Sequence, residues 1–449
     1  MFLRALALNS HDFWFDEAFT YHISKLPANL LLKAVITDNN PPLYYLLIHL
    51  VLNISNSEIA IRLPSQIANI ATIPLIFQLA KRLQIRNIGP LASSLFLVSP
   101  LAIYLAGESR LHAIAMFLAL AQTVSFTTLL RNPKKIPQLT FILLSTVAIY
   151  TQYYLALLFL PFTILIVREK TLNLKRWFVI SSCVFFAVLP WLILSARTIH
   201  NGCACPNTAL SLPATLVSVA IAGVGNVSMR TFPTLPWPIF LLLVLTSIYT
   251  VLLFIKGLVK NRTLSDLYLI PLLTLSIAGL FLPVFSPKAF AVFSPFYLMI
   301  VALGIMSTRY KKALILALIL LFSTISLMQI IIPFFSGEKL KKIDAIARAN
   351  QKVPVLHAST TTYYSTNFYA KGDYANFLIT KNPLSYQTVE FIGGKKKELA
   401  NFAEFLFVDT PKWVDQKDYQ NTKREIFYRY NTIRSYKIND ITVYYMEAR

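Results

Sequence analysis

Long apolar stretches separated by short basic clusters dominate this chain. A backbone in lipid must satisfy its hydrogen bonds internally, so that pattern points to a bundle of membrane-spanning helices. The basic clusters are Lys81/Arg82/Arg86, Arg131/Lys134/Lys135, Arg168/Lys170/Lys175/Arg176, Lys256/Lys260/Arg262 and Arg309/Lys311/Lys312. Loop cations are held on the cytoplasmic side. With all five clusters there, the apolar segments alternate: 62–80 inward, 88–106 outward, 111–130 inward. Residues 138–167 read as two short spans meeting at the outer face near Tyr150–Tyr154. Residues 177–195 then run outward, 237–255 inward, 264–285 outward, 289–307 inward and 313–335 outward. The stretch 196–236 is a long outer segment in which 213–228 is apolar enough to dip into the bilayer. Everything from Ser336 onward lies outside the cytoplasm.

The alternation also puts residues 11–40 outside, as a first outer loop. Met1–Ser10 is too short to span, so the pattern implies a first span that the chain as given lacks. Residues 41–54 are apolar but fall short of the roughly 20 residues that a spanning helix needs, so they lie along or dip into the outer leaflet.

A net charge of +22 would suggest nucleic acid on a soluble protein. Here the bases sit between apolar runs and form no continuous basic face with aromatics, so nucleic acid is excluded as a partner and membrane lipid takes its place. Three cysteines, Cys183, Cys203 and Cys205, are too few for a disulfide scaffold. A bridge across the single residue between the last two would be strained, and they receive no role. GxGxxG, Walker A, HExxH and CxxC patterns are absent.

Residues 336–449 change character. Charge returns, Val353–Ala358, Glu404–Asp409 and Ile441–Met446 read as strands, and Glu338–Asn350 has helical periodicity with Ile343, Ile346 and Ala347 on one face. The expected fold class is therefore mostly α: a polytopic membrane helical bundle over 1–335 with a small extracytoplasmic α/β domain over 336–449.

Eight acidic residues occur in 1–335. Glu169 and Asp266 fall in cytoplasmic loops, whereas Asp12, Asp16, Glu17, Asp38, Glu58 and Glu108 all fall on the outer side. Carboxylates are costly in lipid and are kept where they work or where water reaches them. Four constellations follow. His11-Asp12-Phe13-Trp14-Phe15-Asp16-Glu17 sets adjacent acids beside aromatics of the kind found at the water–lipid boundary, although a solvated loop with interfacial aromatics is an equally good reading. Asp38-Asn39-Asn40-Pro41-Pro42-Leu43-Tyr44-Tyr45 is a polar turn opening an apolar helix. Gly107-Glu108-Ser109-Arg110-Leu111-His112 ends a span at the outer face, where a plain turn would look the same. Lys288 stands at the mouth of 289–307, where snorkelling alone would also explain it. Together these are the parts for chemistry on a lipid-linked phosphate donor: a carboxylate to deprotonate an acceptor hydroxyl and cations to hold the departing phosphate.

FWFDEAFT, DNNPPLYYLLIHL, SEIAIRLPSQIANIATIPLIFQLAKRL and GESRLHAIAMF together resemble the GT-C glycosyltransferases, the superfamily of protein O-mannosyltransferases and ArnT-like enzymes, and within it the bacterial RgtA/B/C/D-like branch. The resemblance runs over about residues 10–335 and is strongest over 10–130. It implies a membrane-embedded GT-C bundle that moves a sugar from a polyprenyl-phosphate carrier to an envelope lipid, glycan or protein on the extracytoplasmic face, with inversion and without a nucleotide-sugar site. By the same resemblance, Asp16 matches the catalytic acid position and Glu17 its partner. Asp38, Glu108, Arg110 and His112 are implied on the substrate side, and Lys288 as the contact to the donor phosphate. Departures from the family pattern are Asn40 and Gln152 where relatives often carry His, His112 for Tyr, and Lys288 for Arg. With those His residues gone no metal site is assigned. Asp16 with Asp38 is suited at most to weak, water-mediated Mg²⁺ or Mn²⁺.

Two other classes compete. A transporter or lipid flippase would place ionisable groups or broken helices at the membrane midplane, often in repeated halves. The sequence shows acids at the outer boundary and no internal repeat. A non-catalytic GT-C relative would account for the altered His positions.

Overall fold

A computed structural model describes residues 2–38, 40–170, 172–199, 236–282, 285–332, 339–379, 402–411, 414 and 416–449. Cys203, Cys205 and the expected outer segment 196–236 lie almost wholly outside the described residues. Among those described, seven helices are long and apolar enough to cross a membrane: Glu58–Arg82, His112–Arg131, Leu174–Ala196, Trp237–Leu258, Arg262–Phe281, Pro287–Met306 and Lys311–Ile331. Helices Gly89–Val98 and Pro100–Ala106 pass the same test as a pair, which makes eight.

The chain divides into two compact units. The helical unit comprises Met1–Leu8, Asn40–Tyr44 and Arg62–Phe335. Its most buried spans are Pro287–Met306 and His112–Arg131, while Leu174–Ala196, Trp237–Leu258 and Lys311–Ile331 leave most of their surface outward, as lipid-facing helices do. Phe178, Phe185, Phe186 and Ile193 are among the exposed apolar side chains of the Leu174 helix. One crossing is unusually close. A Cβ added at Gly257 would stand 1.9 Å from Ile300 O, and one at Gly304 1.9 Å from Leu253 O. In membranes small residues let helix backbones approach in this way.

Residues 138–167, expected as two short spans, form two helices, Lys135–Thr151 and Phe159–Glu169, joined by the 3-10 turn Tyr153–Leu158. Residues 88–106 depart from the single run expected. The helix breaks before Pro100, with a bend of 59°. Proline lacks the amide hydrogen and disfavours helical geometry in the residue before it, and Ser99 accordingly adopts φ −59° and ψ 123°. The Ser99 hydroxyl then caps the second helix, accepting from Ala102 N at 3.3 Å.

The second unit comprises Asn9–Asn39, Tyr45–Ile61 and Ser336–Arg449. The cut expected after residue 335 is therefore not the whole division, because segments from the first 61 residues cluster with the C-terminal region. Strands β1 (Val355–His357), β2 (Asn376–Leu378), β3 (Glu404–Asp409), β4 (Tyr430–Ile438) and β5 (Ile441–Ala448) form one sheet in the order β2-β1-β3-β5-β4. β1 runs parallel to β2 and β3, whereas β5 is antiparallel to β3 and β4. The alternation in β3 feeds two cores. Phe405 and Phe407 pack with Leu356, Ile426 and Met446 on one face, and Leu406 and Val408 with Ile343, Ala347 and Val443 on the other. Asn439, at φ 55°, makes the tight β4–β5 connection. β2, β4 and helices Thr360–Ala370 and Gln416–Arg429 add to the three strands and one helix that the sequence predicts here.

Residues 11–40, expected as a first outer loop, are largely helical. They hold helices Phe15–Ser24 and Ala28–Ile36. The aromatics read as a lipid-boundary cluster are packed against protein. Phe13 is fully buried and stacks on Phe368 at 4.2 Å, and its amide donates to the Tyr369 hydroxyl at 2.6 Å. Phe15 and Phe19 flank the ring of Tyr364, whose carbonyl meets His22 Nε2 at 3.0 Å. Burial drives the His22 imidazole down to about 4, partly offset by that hydrogen bond, so it is neutral at pH 7. Helix Leu43–Leu52 has 10 residues and reaches about 15 Å, half of what a span needs.

Candidate functional site

In the helical unit the site is built around a turn. Helix Pro100–Ala106 closes on Gly107, whose amide bonds to Ile103 O and Tyr104 O. A Cβ at Gly107 would stand 2.8 Å from Ala7 O, so only glycine admits the neighbouring helix Phe2–Ala7 this closely. Glu108 follows and is fully buried. The turn is pinned from two sides. The Tyr44 hydroxyl lies 3.3 Å from Ser109 Oγ and 3.2 Å from Ser65 Oγ, and Ser65 Oγ donates to Arg110 O at 3.0 Å.

Lys288 comes from the short helix Pro287–Phe290, entered through Ser286, whose amide donates to the Tyr154 hydroxyl at 3.1 Å. Its Nζ stands 3.0 Å from Glu108 Oε2 and 3.2 Å from Oε1, and 5.7 Å from the centre of the Tyr104 ring. The pair is asymmetric: Glu108 is closed to water and the Lys288 side chain is 25% exposed. The carboxylate fixes the ammonium while leaving one side of it open to an anion. His112 begins the next helix, is almost fully buried, and lies within Coulombic reach of Lys288 and Arg110. Its Nδ1 has no hydrogen-bond partner among the described residues.

The acidic set belongs to the second unit. Asp16 and Glu17 occupy the first turn of helix Phe15–Ser24, where the helix dipole favours negative charge. They differ in exposure. Asp16 is half-buried and reaches water, whereas Glu17 is fully buried with its Oε2 3.6 Å from His11 Nδ1. Asp38 is nearly buried, and the Tyr45 hydroxyl donates to its Oδ2 at 2.6 Å. The expected site residues thus fall into two groups. Glu108, Arg110, His112 and Lys288 share the helical unit; Asp16, Glu17 and Asp38 share the other. No cluster of three or more His, Cys, Asp or Glu side chains suited to a metal ion occurs among the described residues.

Sequence reasoning missed Tyr44 and Tyr45, which read as an ordinary helix start, and Arg4, which is 1% exposed. An arginine inside the apolar run FLRALAL was the available signal, since a buried charge in a membrane protein marks a constrained position.

The fold is that of a polytopic membrane protein with a small α/β region. The sequence profile of the family described as dolichyl-phosphate-mannose-protein mannosyltransferase matches residues 39–194. The structure is similar to that of ArnT from Cupriavidus metallidurans bound to undecaprenyl phosphate, with a TM-score of 0.64 at 10% identity, covering 99% of this chain and 96% of that one. Against the apo state of the same protein the TM-score is 0.62 at 9% identity, covering 98% and 96%. No curated protein matches the sequence. The resemblance read from four sequence motifs is thus matched by the fold over nearly the whole chain.

Proposed function

We propose that this protein is an integral membrane glycosyltransferase that takes a sugar from a polyprenyl-phosphate carrier and passes it to an envelope lipid, glycan or protein at the extracytoplasmic face. The observation that carries the reading is the Glu108–Lys288 pair: a buried carboxylate holding a partly open ammonium at the end of a span. Such an ammonium suits a phosphate that gains charge as it leaves. ArnT, with the same fold, has been crystallised with undecaprenyl phosphate, which supports a carrier of that class.

In this reading Lys288 holds the donor phosphate, with Arg110 and His112 beside it. Asp16 is the general base that takes the proton of the acceptor hydroxyl, a role consistent with its contact with water. Glu17 and Asp38 support it, Glu17 from a buried position. Attack on the anomeric carbon opposite the phosphate gives inversion.

The test is transfer by the purified protein from synthetic polyprenyl-phosphate sugars presented as a panel, wild type against Asp16→Asn. Donor-dependent product formation that is lost in the variant supports the reading. A protein that consumes none of the panel, or a variant with full activity, removes it. The broken helix at Pro100 is a feature of transporters also, and movement of labelled carrier across vesicles without sugar transfer would select that reading instead.

A further inference from the structure

Arg4 carries a guanidinium into the interior of the helical unit, and all its hydrogen-bond partners among the described residues are neutral. Nε donates to Asn69 Oδ1 at 2.9 Å, one terminal nitrogen to Phe96 O at 3.0 Å, and the other to Leu97 O. Those carbonyls lie in the last turn of helix Gly89–Val98, which ends before Pro100; proline has no amide hydrogen to offer Phe96 O, and Ser99 N reaches that carbonyl instead at 3.3 Å. The next carbonyl, Val98 O, accepts from Ser326 Oγ at 2.9 Å. Asn69 spans the break, its Nδ2 donating to Ala102 O at 3.1 Å in the second half-helix. The guanidinium therefore sits at the negative end of a helix dipole, and its planar fork matches two successive carbonyls.

The same short helix also meets the far end of the half-helix, where Ala7 O closes on Gly107, one residue before Glu108. Helix Phe2–Ala7 thus meets the last turn of helix Gly89–Val98 through Arg4 and the closing turn of helix Pro100–Ala106 through Ala7.

We propose that Arg4 is a positioning residue that fixes the bend at Ser99–Pro100 and so sets the direction in which half-helix Pro100–Ala106 delivers Glu108 to Lys288. The inference deepens the reading of that pair as the donor-phosphate site, and rests on it only for its kinetic consequence. Lysine at position 4 would keep the charge but not the fork; glutamine would lose both.

The experiment reads the pair directly, without substrate. The full chain is acetylated with limiting acetic anhydride, and labelling of Lys288 is measured by mass spectrometry relative to the exposed Lys81 and Lys311. Glu108→Gln sets the level for a released amine. Arg4→Gln is expected to raise Lys288 labelling by about fivefold or more, the range over which a lost charge-assisted hydrogen bond alters an equilibrium. Arg4→Lys should fall between, and the double variant should not exceed Glu108→Gln alone. Should Arg4→Gln not fold, Asn69→Ala and Arg4→Lys are read by the same criterion. A folded variant whose Lys288 stays as protected as wild type overturns the proposal. Release of Lys288 with sugar transfer unchanged would instead overturn the donor-site reading and leave the positioning role standing.

Discussion

At the scale of single residues, adjacent carboxylates that look alike in the sequence carry different loads. Asp16 meets water while Glu17 is enclosed, because neighbouring helix positions point about 100° apart. In the role of general base proposed for Asp16, Asp16→Asn should lower kcat by roughly 10²–10⁴-fold. Its thermal stability should match wild type, and a kinetic series with a calorimetric control checks both. Glu17→Gln should show the opposite balance, a lower Tm with the smaller loss of rate. The Glu108–Lys288 pair has its own asymmetry. Lys288→Met leaves a carboxylate buried without its cation, at a cost of about 3–5 kcal/mol, whereas Lys288→Arg keeps the charge and should hold the Tm close to wild type. Denaturation of the three proteins in one detergent compares them. The residue types at both positions were legible in the sequence. That Glu108 would be occupied by Lys288 was not, since 180 residues separate them.

Among elements, the span positions follow from hydropathy and loop charge, but the bend in one of them does not. Pro64, Pro74, Pro190 and Pro271 all lie inside continuous helices, so proline alone does not break a span. Pro100 does so where Arg4 reaches Phe96 O and Leu97 O and Ser326 reaches Val98 O, the carbonyls at the end of the interrupted helix. The crossing at Gly257 and Gly304 is a second feature invisible to hydropathy. Gly304→Ala would drive a methyl group into backbone that cannot swing aside. The expected loss is about 1–3 kcal/mol, seen as a lower Tm with unchanged donor KM in the protein that remains folded.

For the molecule as a whole, pH acts on the second unit through two buried histidines. His357 joins β1 to its surroundings, with Nδ1 3.0 Å from Thr362 Oγ1 and Nε2 3.0 Å from Asn376 Oδ1. Burial drives it down to about 4, with the Asn376 hydrogen bond opposing, and His22 is depressed to the same value. The unfolded chain takes up these protons near the ordinary value of 6.5, before the native state does. Stability is therefore whole above about pH 6.5 and is lost as pH falls towards 4, at up to about 1.4 kcal/mol per unit for each histidine. Amide exchange in β1 and helix Thr360–Ala370, corrected for intrinsic rate, should be faster at pH 5 than at pH 7. His357→Gln should flatten part of that dependence. The sequence announced an α/β region after residue 335 but not its partners. Helix Phe15–Ser24 packs on helix Thr360–Ala370 through aromatic contacts more than 300 residues apart in the chain.

The sequence by itself determined which segments are long and apolar enough to span, which run of residues becomes strand, and which known fold the chain would resemble. All of these rest on local properties: apolar run length, charge between runs, period along a segment, and short motifs. The tertiary structure decided what each polar group meets. It folded residues 15–36 into two packed helices, set Phe13 and Phe19 in protein core, bent one span at one proline of several, and gave Lys288 its carboxylate. Such outcomes depend on partners distant in the chain, and a periodic pattern records which face of an element is buried but not what buries it.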